Sequence, residues 1–300
     1  MGMKKIVLAL GFFDGVHLGH QELIKKAIHQ AQLEQCISGV LTFKDHPLTY
    51  IFPTYAPTLI MSNEDKIEKC KTYGIDEVHL ENFDQKVMSL SPKEFVVDYL
   101  LKKFNLAHLV VGFDYTFGYK ASGDTSLLKK MGRYYGFGVT VVDELKIGGA
   151  SVSSSLIRQL IGVGKVRAVS KYLGGDHFIR GVVVVGKQLG SRFQLPTANL
   201  KMTTNLVLPS SGVYYTQIEV DGKWYDGATN LGINPTFKNH PYSIETYIYD
   251  FNRNIYGKKV KLVFKEKIRG EMKFEHIEDL FAQIRHDVQE IDRGRLLKKI

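Results

Sequence analysis

The 300-residue sequence has few of the residues that mark specialised protein classes. Its only cysteines, Cys36 and Cys70, show no CxxC or other metal-site spacing, which argues against a disulfide-stapled domain and favours reduced thiols. No apolar run approaches the length of a membrane-spanning helix, and the apolar stretch near the start lacks a signal-peptide cleavage site. No repeat or low-complexity segment is present. These absences predict a cytoplasmic globular protein with no membrane partner.

The chain also lacks an acidic excess. Its 40 Lys and Arg side chains outnumber 31 Asp and Glu, which leaves a net charge of +9 and suits an anionic partner. The basic excess is divided between the two halves and forms no dense block, whereas nucleic-acid binders concentrate basic residues on one face or helix. The charge pattern therefore favours a nucleotide or polyphosphate ligand and predicts no nucleic-acid partner.

The first part of the chain, residues 1–175, alternates short apolar runs with helical patterns. Strands are predicted over Lys5–Phe12, Ile37–Phe43, Glu77–Leu80, Ala107–Gly112 and Gly138–Val142, and helices over Gln21–Leu33, Glu64–Tyr73 and Pro92–Phe104. This alternation is typical of a doubly wound α/β domain with a parallel sheet. Ligands of such sheets bind at the carboxyl ends of the strands.

The remainder, residues 176–300, has a different sequence pattern. Short strands separated by turns are predicted over Arg180–Val185, Gly212–Val220, Lys223–Asn230, Ser243–Asp250 and Lys258–Phe264. Without intervening helices, they predict a small closed antiparallel β-barrel. Apolar residues at helical spacing then predict a C-terminal helix: Ile277, Leu280, Phe281, Ile284, Val288 and Ile291.

The first chemical motif is Gly11-Phe-Phe-Asp-Gly-Val-His-Leu-Gly-His20, where the first predicted strand meets the first predicted helix. A helix start attracts phosphate through its unpaired N–H groups and its dipole. Gly15 and Gly19 permit tight turns and close approach of a ligand, while His17 and His20 can donate hydrogen bonds to phosphate oxygens. Two structural histidines would show the same spacing, as would half a zinc site, although no nearby Cys/His pair completes one.

A second motif, Val152-Ser-Ser-Ser-Leu-Ile-Arg158, precedes another helical pattern. Its serines are typical of a helix N-cap, and Arg158 falls within the first two turns. One interpretation is a capped helix with a surface arginine. The other is a second anion-binding group, in which hydroxyls and a guanidinium hold phosphates.

These two motifs together resemble the HxGH nucleotidyltransferase superfamily. The longer string Gly11–His20 resembles the bacterial FAD synthetase family, two-domain enzymes that combine riboflavin kinase and FMN adenylyltransferase. Further similar segments cover nearly the whole chain: Leu41–Pro47, Val110–Gly123, Pro196–Asn199, Gly212–Tyr214, Asn230–Phe237 and Glu245–Phe251.

The resemblance implies that the first domain transfers AMP from ATP to FMN with release of pyrophosphate. His17 and His20 would stabilise transition-state charge, and Arg158 would act with them on the outgoing phosphates. Other residues would bind ATP or its phosphates: Gly11, Phe12, Asp14, Gly15, Gly19, Ser154 and Ser155. The flavin or nucleotide would lie near His46, Asp114 and Thr116, and Mg²⁺ would bridge phosphate oxygens.

The resemblance also implies a riboflavin kinase module in the second domain, with riboflavin and ATP as substrates. Thr197 and Asn199 would bind Mg²⁺ and nucleotide phosphate, and Glu245 would be the general base. The family's glycine-rich segment before Pro-Thr is altered here. Val185, Lys187, Ser191, Gln194 and Leu195 stand where the family usually has His, Asp, Arg, Gly and Phe. We therefore expect an intact adenylyltransferase and an impaired kinase.

Two alternatives remain at the level of sequence. Another HxGH adenylyl- or cytidylyltransferase would use the same phosphate motifs, but it needs no module containing Pro196-Thr-Ala-Asn199 and Glu245. A non-enzymatic protein that binds flavin or RNA would also be basic, and its affinity for RNA would fall steeply with salt.

Overall fold

The computed structural model describes residues 4–186, 196–233, 242–272 and 277–297. Contacts between residues divide the chain into two compact units, one ending at Ser154 and the other beginning at Ser155. The altered segment of the predicted kinase loop, 187–195, lies outside the described residues. Of the five substituted positions in the predicted kinase loop, only Val185, which precedes this segment, is described, and its side chain is exposed.

The first unit is built on a five-stranded parallel sheet in the order β3-β2-β1-β4-β5. Its strands are β1 (Ile6–Leu10), β2 (Ile37–Phe43), β3 (Glu77–Glu81), β4 (Leu106–Gly112) and β5 (Gly138–Val142). Every residue of β1 is buried, as expected for a central parallel strand covered on both faces. The order reverses between β1 and β4, which is where ligands bind in doubly wound sheets.

The helices of this unit are α1 (Leu18–Leu33), α2 (Pro47–Ile51), α3 (Asn63–Thr72), α4 (Gln85–Ser89), α5 (Pro92–Glu94) and α6 (Thr125–Tyr135). A hairpin of β6 (Lys146–Ile147) and β7 (Ala150–Ser151) follows. The predicted α/β domain with a parallel sheet is confirmed.

Two sequence predictions need correction here. The first strand ends at Leu10 instead of Phe12, because the chain turns at Phe13, which has a positive φ of 55°. The helix predicted over Pro92–Phe104 starts with a capping box formed by Ser91 and Glu94, but Phe95–Leu101 forms a π-helix. This wider helix turns both Phe95 and Leu100, five residues apart, into the core.

The second unit contains a closed barrel in the order β10-β11-β12-β9-β8-β13. Its strands are β8 (Phe178–Val184), β9 (Thr197–Met202), β10 (Gly212–Val220), β11 (Lys223–Ile233), β12 (Tyr242–Ile248) and β13 (Lys259–Arg269). All six pairings are antiparallel, so the predicted barrel is confirmed. The strand β9 was not predicted, and β12 ends before Asp250, whose φ of 54° belongs to a turn.

The described residues of this unit also form three helices: α7 (Ser154–Gly162), whose first residue belongs to the first unit, α8 (Val166–Leu173) and the predicted C-terminal helix α9 (Ile277–Leu297). Arg269 on β13 holds α9 through a bidentate pair with Asp287, in which Nε lies 2.9 Å from Oδ1 and one terminal guanidinium nitrogen 2.6 Å from Oδ2. Tyr249 adds a hydroxyl bond of 2.6 Å to the Val288 carbonyl. These bonds attach the helix to the barrel wall.

Candidate active sites

The turn after β1 has a compact left-handed backbone. Phe13, Gly15 and Val16 all have positive φ, at 55°, 79° and 44°, a region that only glycine enters without strain. Strained backbone of this kind occurs at ligand-binding sites. The turn lies at the carboxyl end of a central strand and leads directly into α1.

His17 caps α1, and His20 lies one helical turn further on. The His17 Nδ1 accepts a hydrogen bond of 3.3 Å from the backbone N–H of His20, and the two imidazoles stack with centroids 3.6 Å apart. A side chain at position 19 would press on the His17 ring, since a Cβ there would lie 3.2 Å from Cε1. The structure therefore brings the two predicted histidines together and explains Gly19 between them.

The His20 imidazole lies in a buried and electropositive environment. Burial lowers its pKa well below 6.5, and the positive charges of His17, Lys66 and Lys69 lower it further. Its Nδ1 has no hydrogen-bond partner among the described residues. An imidazole N–H can donate a hydrogen bond to a phosphate oxygen, and a nearby anion favours the protonated imidazole, in which both ring nitrogens donate.

Asp14 connects three segments of the first unit. Its side chain is 1% exposed, and the carboxylate accepts backbone N–H bonds from Ile60 at 3.0 Å and Met61 at 3.3 Å. The Ser154 hydroxyl donates to the Asp14 carbonyl at 3.0 Å. Asp14 therefore orders the turn through its contacts, and direct binding of ATP by this residue stays a prediction.

Ser155 and Arg158 both lie on α7. Ser155 is exposed and Arg158 is half-buried. Ser154, which opens the same helix, contacts the histidine-containing turn through its hydroxyl. The assignment of Ser155 and Arg158 to pyrophosphate binding stays a prediction.

A large apolar cavity of about 830 Å³ lies within the first unit. Gly11, Phe12 and Thr116, all predicted site residues, contribute to its wall together with aromatic and aliphatic side chains that include Phe43, Phe52, Phe83, Phe95, Tyr115, Phe117 and Tyr119. Its size and lining match those of small-molecule sites. The cavity lies beside the turn that carries His17 and His20, because Gly11 and Phe12 belong to both.

The remaining predicted flavin residues lie around this region. His46 packs edge-on against Phe12 at 4.7 Å, and its Nδ1 accepts a 3.2 Å bond from the Leu48 N–H at the start of α2. Asp114 is exposed in the loop after β4, two residues before Thr116. His46 thus positions a cavity-lining aromatic ring, and the role of Asp114 stays a prediction.

Two lysines of α3 were missed by the sequence analysis. Lys66 is 0% exposed, its Nζ lies 4.2 Å from the centre of the Phe12 ring, and burial lowers its pKa to about 8 against the opposing effect of Asp14. Lys69 donates to the Gly15 carbonyl at 3.2 Å. The available signal was weak: Lys66 lies four residues before buried Cys70 and so shares its helix face.

The predicted kinase residues meet on one face of the barrel. Glu245 on β12 is the register partner of Asn199 on β9, and Tyr247 pairs with Thr197. Their neighbours Ala198 and Thr246 are buried, so alternation places Thr197, Asn199 and Glu245 together on the opposite side of the strands. Glu245 accepts a 2.8 Å bond from the Ser243 hydroxyl. The side-chain oxygens of Thr197 and Asn199 suit a hard cation.

The chain approaches Asn199 closely where β8 leads towards residue 187. A Cβ at Gly186 would lie 2.3 Å from the Asn199 amide nitrogen, so a larger residue would displace this side chain. The segment 187–195 that follows lies outside the described residues. The expected effect of its substitutions on phosphate binding stays a prediction.

Comparisons with known proteins match both parts of the chain. A family model described as FAD synthetase matches residues 2–156, and one described as riboflavin kinase matches residues 173–294. The bifunctional riboflavin kinase/FMN adenylyltransferase of Bacillus subtilis is 36% identical over 96% of this chain and 92% of its own length. That of Listeria monocytogenes is 37% identical over 95% and 90%.

A solved structure from Streptococcus pneumoniae, named as a macrolide-efflux protein, has a TM-score of 0.88 at 33% identity and covers 96% of this chain and 94% of its own. In the described part of the present chain, no helix is both long and apolar enough to cross a bilayer. The matched family models and the near full-length relatives place the chain in the family of bifunctional riboflavin kinase/FMN adenylyltransferases.

Proposed function

We propose that the first unit synthesises FAD by transferring AMP from ATP to FMN. The observation that carries this proposal is the apolar cavity of about 830 Å³ beside the stacked His17–His20 pair. The cavity suits a planar aromatic ring system, and the histidine pair suits phosphate. An FMN molecule carries both groups. Membership of the family supports the same substrates.

The reaction is an in-line displacement at phosphorus. A phosphate oxygen of FMN attacks the α-phosphorus of ATP, the new P–O bond forms, and the bond to pyrophosphate breaks. Such a transfer depends on positioning and charge stabilisation more than on a covalent nucleophile. His17 and His20 stabilise the charge on the transferring group, and Ser154, Ser155 and Arg158 hold the departing pyrophosphate. Bound Mg²⁺ would supply charge neutralisation at the phosphate oxygens. Because ATP and FMN are its proposed substrates, we place the protein in the cytoplasm.

The first prediction tests His20. Replacing His20 with Ala removes a ring that contacts charge in the transition state, and loss of one such group typically lowers kcat by about 100-fold or more. The measurement is FAD formation from FMN and ATP by chromatography, with pyrophosphate release followed in parallel. His29, exposed on the same helix, provides the matched control as His29→Ala, which should keep full activity. Unchanged FAD formation in His20→Ala would remove His20 from the mechanism.

We also propose that the barrel retains a riboflavin kinase site with reduced activity. The juxtaposition of Glu245 and Asn199 across β12 and β9 supports the site, and the substitutions at Lys187, Ser191 and Gln194 support the reduction, because a lost arginine and a lost glycine weaken phosphate binding. Glu245 would take the proton of the ribityl hydroxyl as the hydroxyl oxygen attacks the γ-phosphorus of ATP, and the bond from that phosphorus to ADP would break, so that ADP leaves. Thr197 and Asn199 would bind Mg²⁺.

The second prediction follows from this assignment. The Glu245→Gln variant keeps the shape of the side chain and removes the base, so FMN formation from riboflavin and ATP should fall by about 100-fold or more. FAD formation from supplied FMN should not change. The control is Glu219→Gln on β10. If Glu245→Gln phosphorylates riboflavin as fast as the unaltered protein, Glu245 is not the base. A separate outcome concerns the loop: rapid phosphorylation of riboflavin by the unaltered protein would show that the loop substitutions are tolerated.

A further inference from the structure

The adenylyl-transfer site contains a buried cation with no obvious structural need. Lys66 on α3 has no exposed surface, and its Nζ makes one long hydrogen bond, 3.4 Å to the Phe43 carbonyl. It forms no ion pair with any residue that the structure describes. Burying an ammonium group under these conditions costs free energy of folding. Its presence therefore indicates a functional advantage that offsets this cost.

The surroundings of Lys66 connect it to the apolar cavity. Its Nζ lies over the Phe12 ring at 4.2 Å, and Phe12 lines the apolar cavity. The same ring contacts His46 edge-on. A cation over an aromatic face is attracted by the electrons of the ring, and more strongly when water is excluded. Lys66 and His46 therefore both contact a ring that lines the cavity.

The charge of Lys66 also acts on the histidine-containing turn. Its positive charge lowers the pKa of His20, as does that of Lys69 from the same helix. The other ionisable groups facing Lys66 are Asp14, whose carboxylate is bonded to backbone N–H groups, Cys70 and Asp45. Asp14 compensates the ammonium only in part, since burial still lowers the pKa of Lys66 to about 8. The region around His20 thus remains electropositive before substrate binds.

We propose that Lys66 is a positioning residue of adenylyl transfer, whose buried ammonium fixes the Phe12 ring and provides positive potential that is compensated only when a polyphosphate binds at the His17–His20 turn. This inference rests on the proposed FMN adenylyltransferase function. It explains an otherwise costly buried charge, because functional sites retain groups that lower stability. It also explains why Lys66 acts through Phe12 and His20 and does not line the cavity itself.

The test compares Lys66→Met with Lys71→Met. Met has a similar length and no charge, and Lys71 is an exposed lysine on the same helix. Three properties of each full-length variant are measured: the rate of FAD formation, the affinity for inorganic pyrophosphate by calorimetry at pH 7 and pH 9, and the thermal midpoint. We expect Lys66→Met to form FAD at least about tenfold more slowly and to bind pyrophosphate more weakly at pH 7, with an equal or higher midpoint because the buried charge is gone.

The pH dependence separates the charge from the shape of the side chain. Between pH 7 and pH 9 the unaltered protein and Lys71→Met should lose pyrophosphate affinity by a larger factor than Lys66→Met, since only they lose the Lys66 charge near pH 8. A lower thermal midpoint with unchanged affinity would show a purely structural role and overturn the proposal. So would equal FAD rates in the two variants. Failure of the unaltered protein to make FAD would refute the proposed function instead, and pyrophosphate binding would still decide the role of Lys66.

Discussion

At the scale of single residues, burial decides which ionisable groups affect stability and which affect function. His177 is 1% exposed. It stacks on Phe264 with centroids 5.8 Å apart, and its Nε2 lies 3.2 Å from the Val207 carbonyl. Burial lowers its pKa to about 4 from 6.5. In contrast to His20, it lies in the barrel unit and is not one of the predicted site residues, so we expect its effect to be on stability.

The third prediction concerns this histidine. Because the pKa is lower in the folded state, the unfolded chain binds the proton more tightly. The stability that neutral His177 contributes is complete above about pH 6.5 and is lost as the pH falls towards 4, by up to about 3 kcal/mol. Urea unfolding followed by the fluorescence of Trp224, the single tryptophan, reports on the barrel unit that contains both residues.

The matched variants are His177→Gln and His29→Gln. The first removes the titrating ring and should flatten the dependence of barrel stability between pH 6.5 and pH 4. The second removes an exposed histidine and should leave that dependence unchanged. An equally steep loss of stability in His177→Gln would show that other groups control acid unfolding of the barrel.

At the scale of elements, the sequence predicted the types of most strands and helices but not all their limits. The limits of β2, β5 and β10 were predicted to the residue, because each is a continuous or alternating apolar run between turn residues. The π-helix at Phe95–Leu101 was missed because its hydrogen bonding depends on how Phe95, Val96 and Leu100 pack in the core, and the local sequence does not show this packing. The strand β9 was missed although its apolar residues Ala198, Leu200 and Met202 alternate with polar ones, because the run is only six residues long and pairing with β8 and β12 stabilises it.

The fourth prediction concerns the attachment of α9. Asp287 is 3% exposed and accepts bonds from both Arg269 and Gln283. Asp287→Ala leaves the largely buried Arg269 guanidinium without its partner, so the barrel unit should lose about 3 kcal/mol of unfolding free energy. Urea unfolding monitored by Trp224 fluorescence measures the loss. Asp279→Ala, at an exposed position of the same helix, should change stability little, and equal losses in the two variants would contradict the argument.

At the scale of the whole molecule, the two proposed activities share a dependence on Mg²⁺. The fifth prediction is that EDTA abolishes FAD formation, and FMN formation where it occurs, because phosphoryl and adenylyl transfers both need charge neutralisation at the phosphates. Binding of FMN should persist in EDTA, since in the proposed site the apolar cavity, and not the metal, would hold the ring. Flavin fluorescence measures the binding, and activity should return when Mg²⁺ is added. Undiminished turnover in EDTA would contradict the proposed role of the metal.

The sequence by itself determined the order of an α/β unit and a barrel, the glycine-permitted turn that carries His17 and His20, and the capping of α5 by Ser91. These features depend on neighbours along the chain, through periodicity, positive φ and local hydrogen bonds. Tertiary structure alone decided that Lys66 lies buried over Phe12, that an apolar cavity adjoins the turn, and that Asn199 lies beside Glu245. Burial, pKa and strand pairing depend on segments remote in the chain, and residues such as Lys66 give no local pattern that distinguishes them from surface lysines.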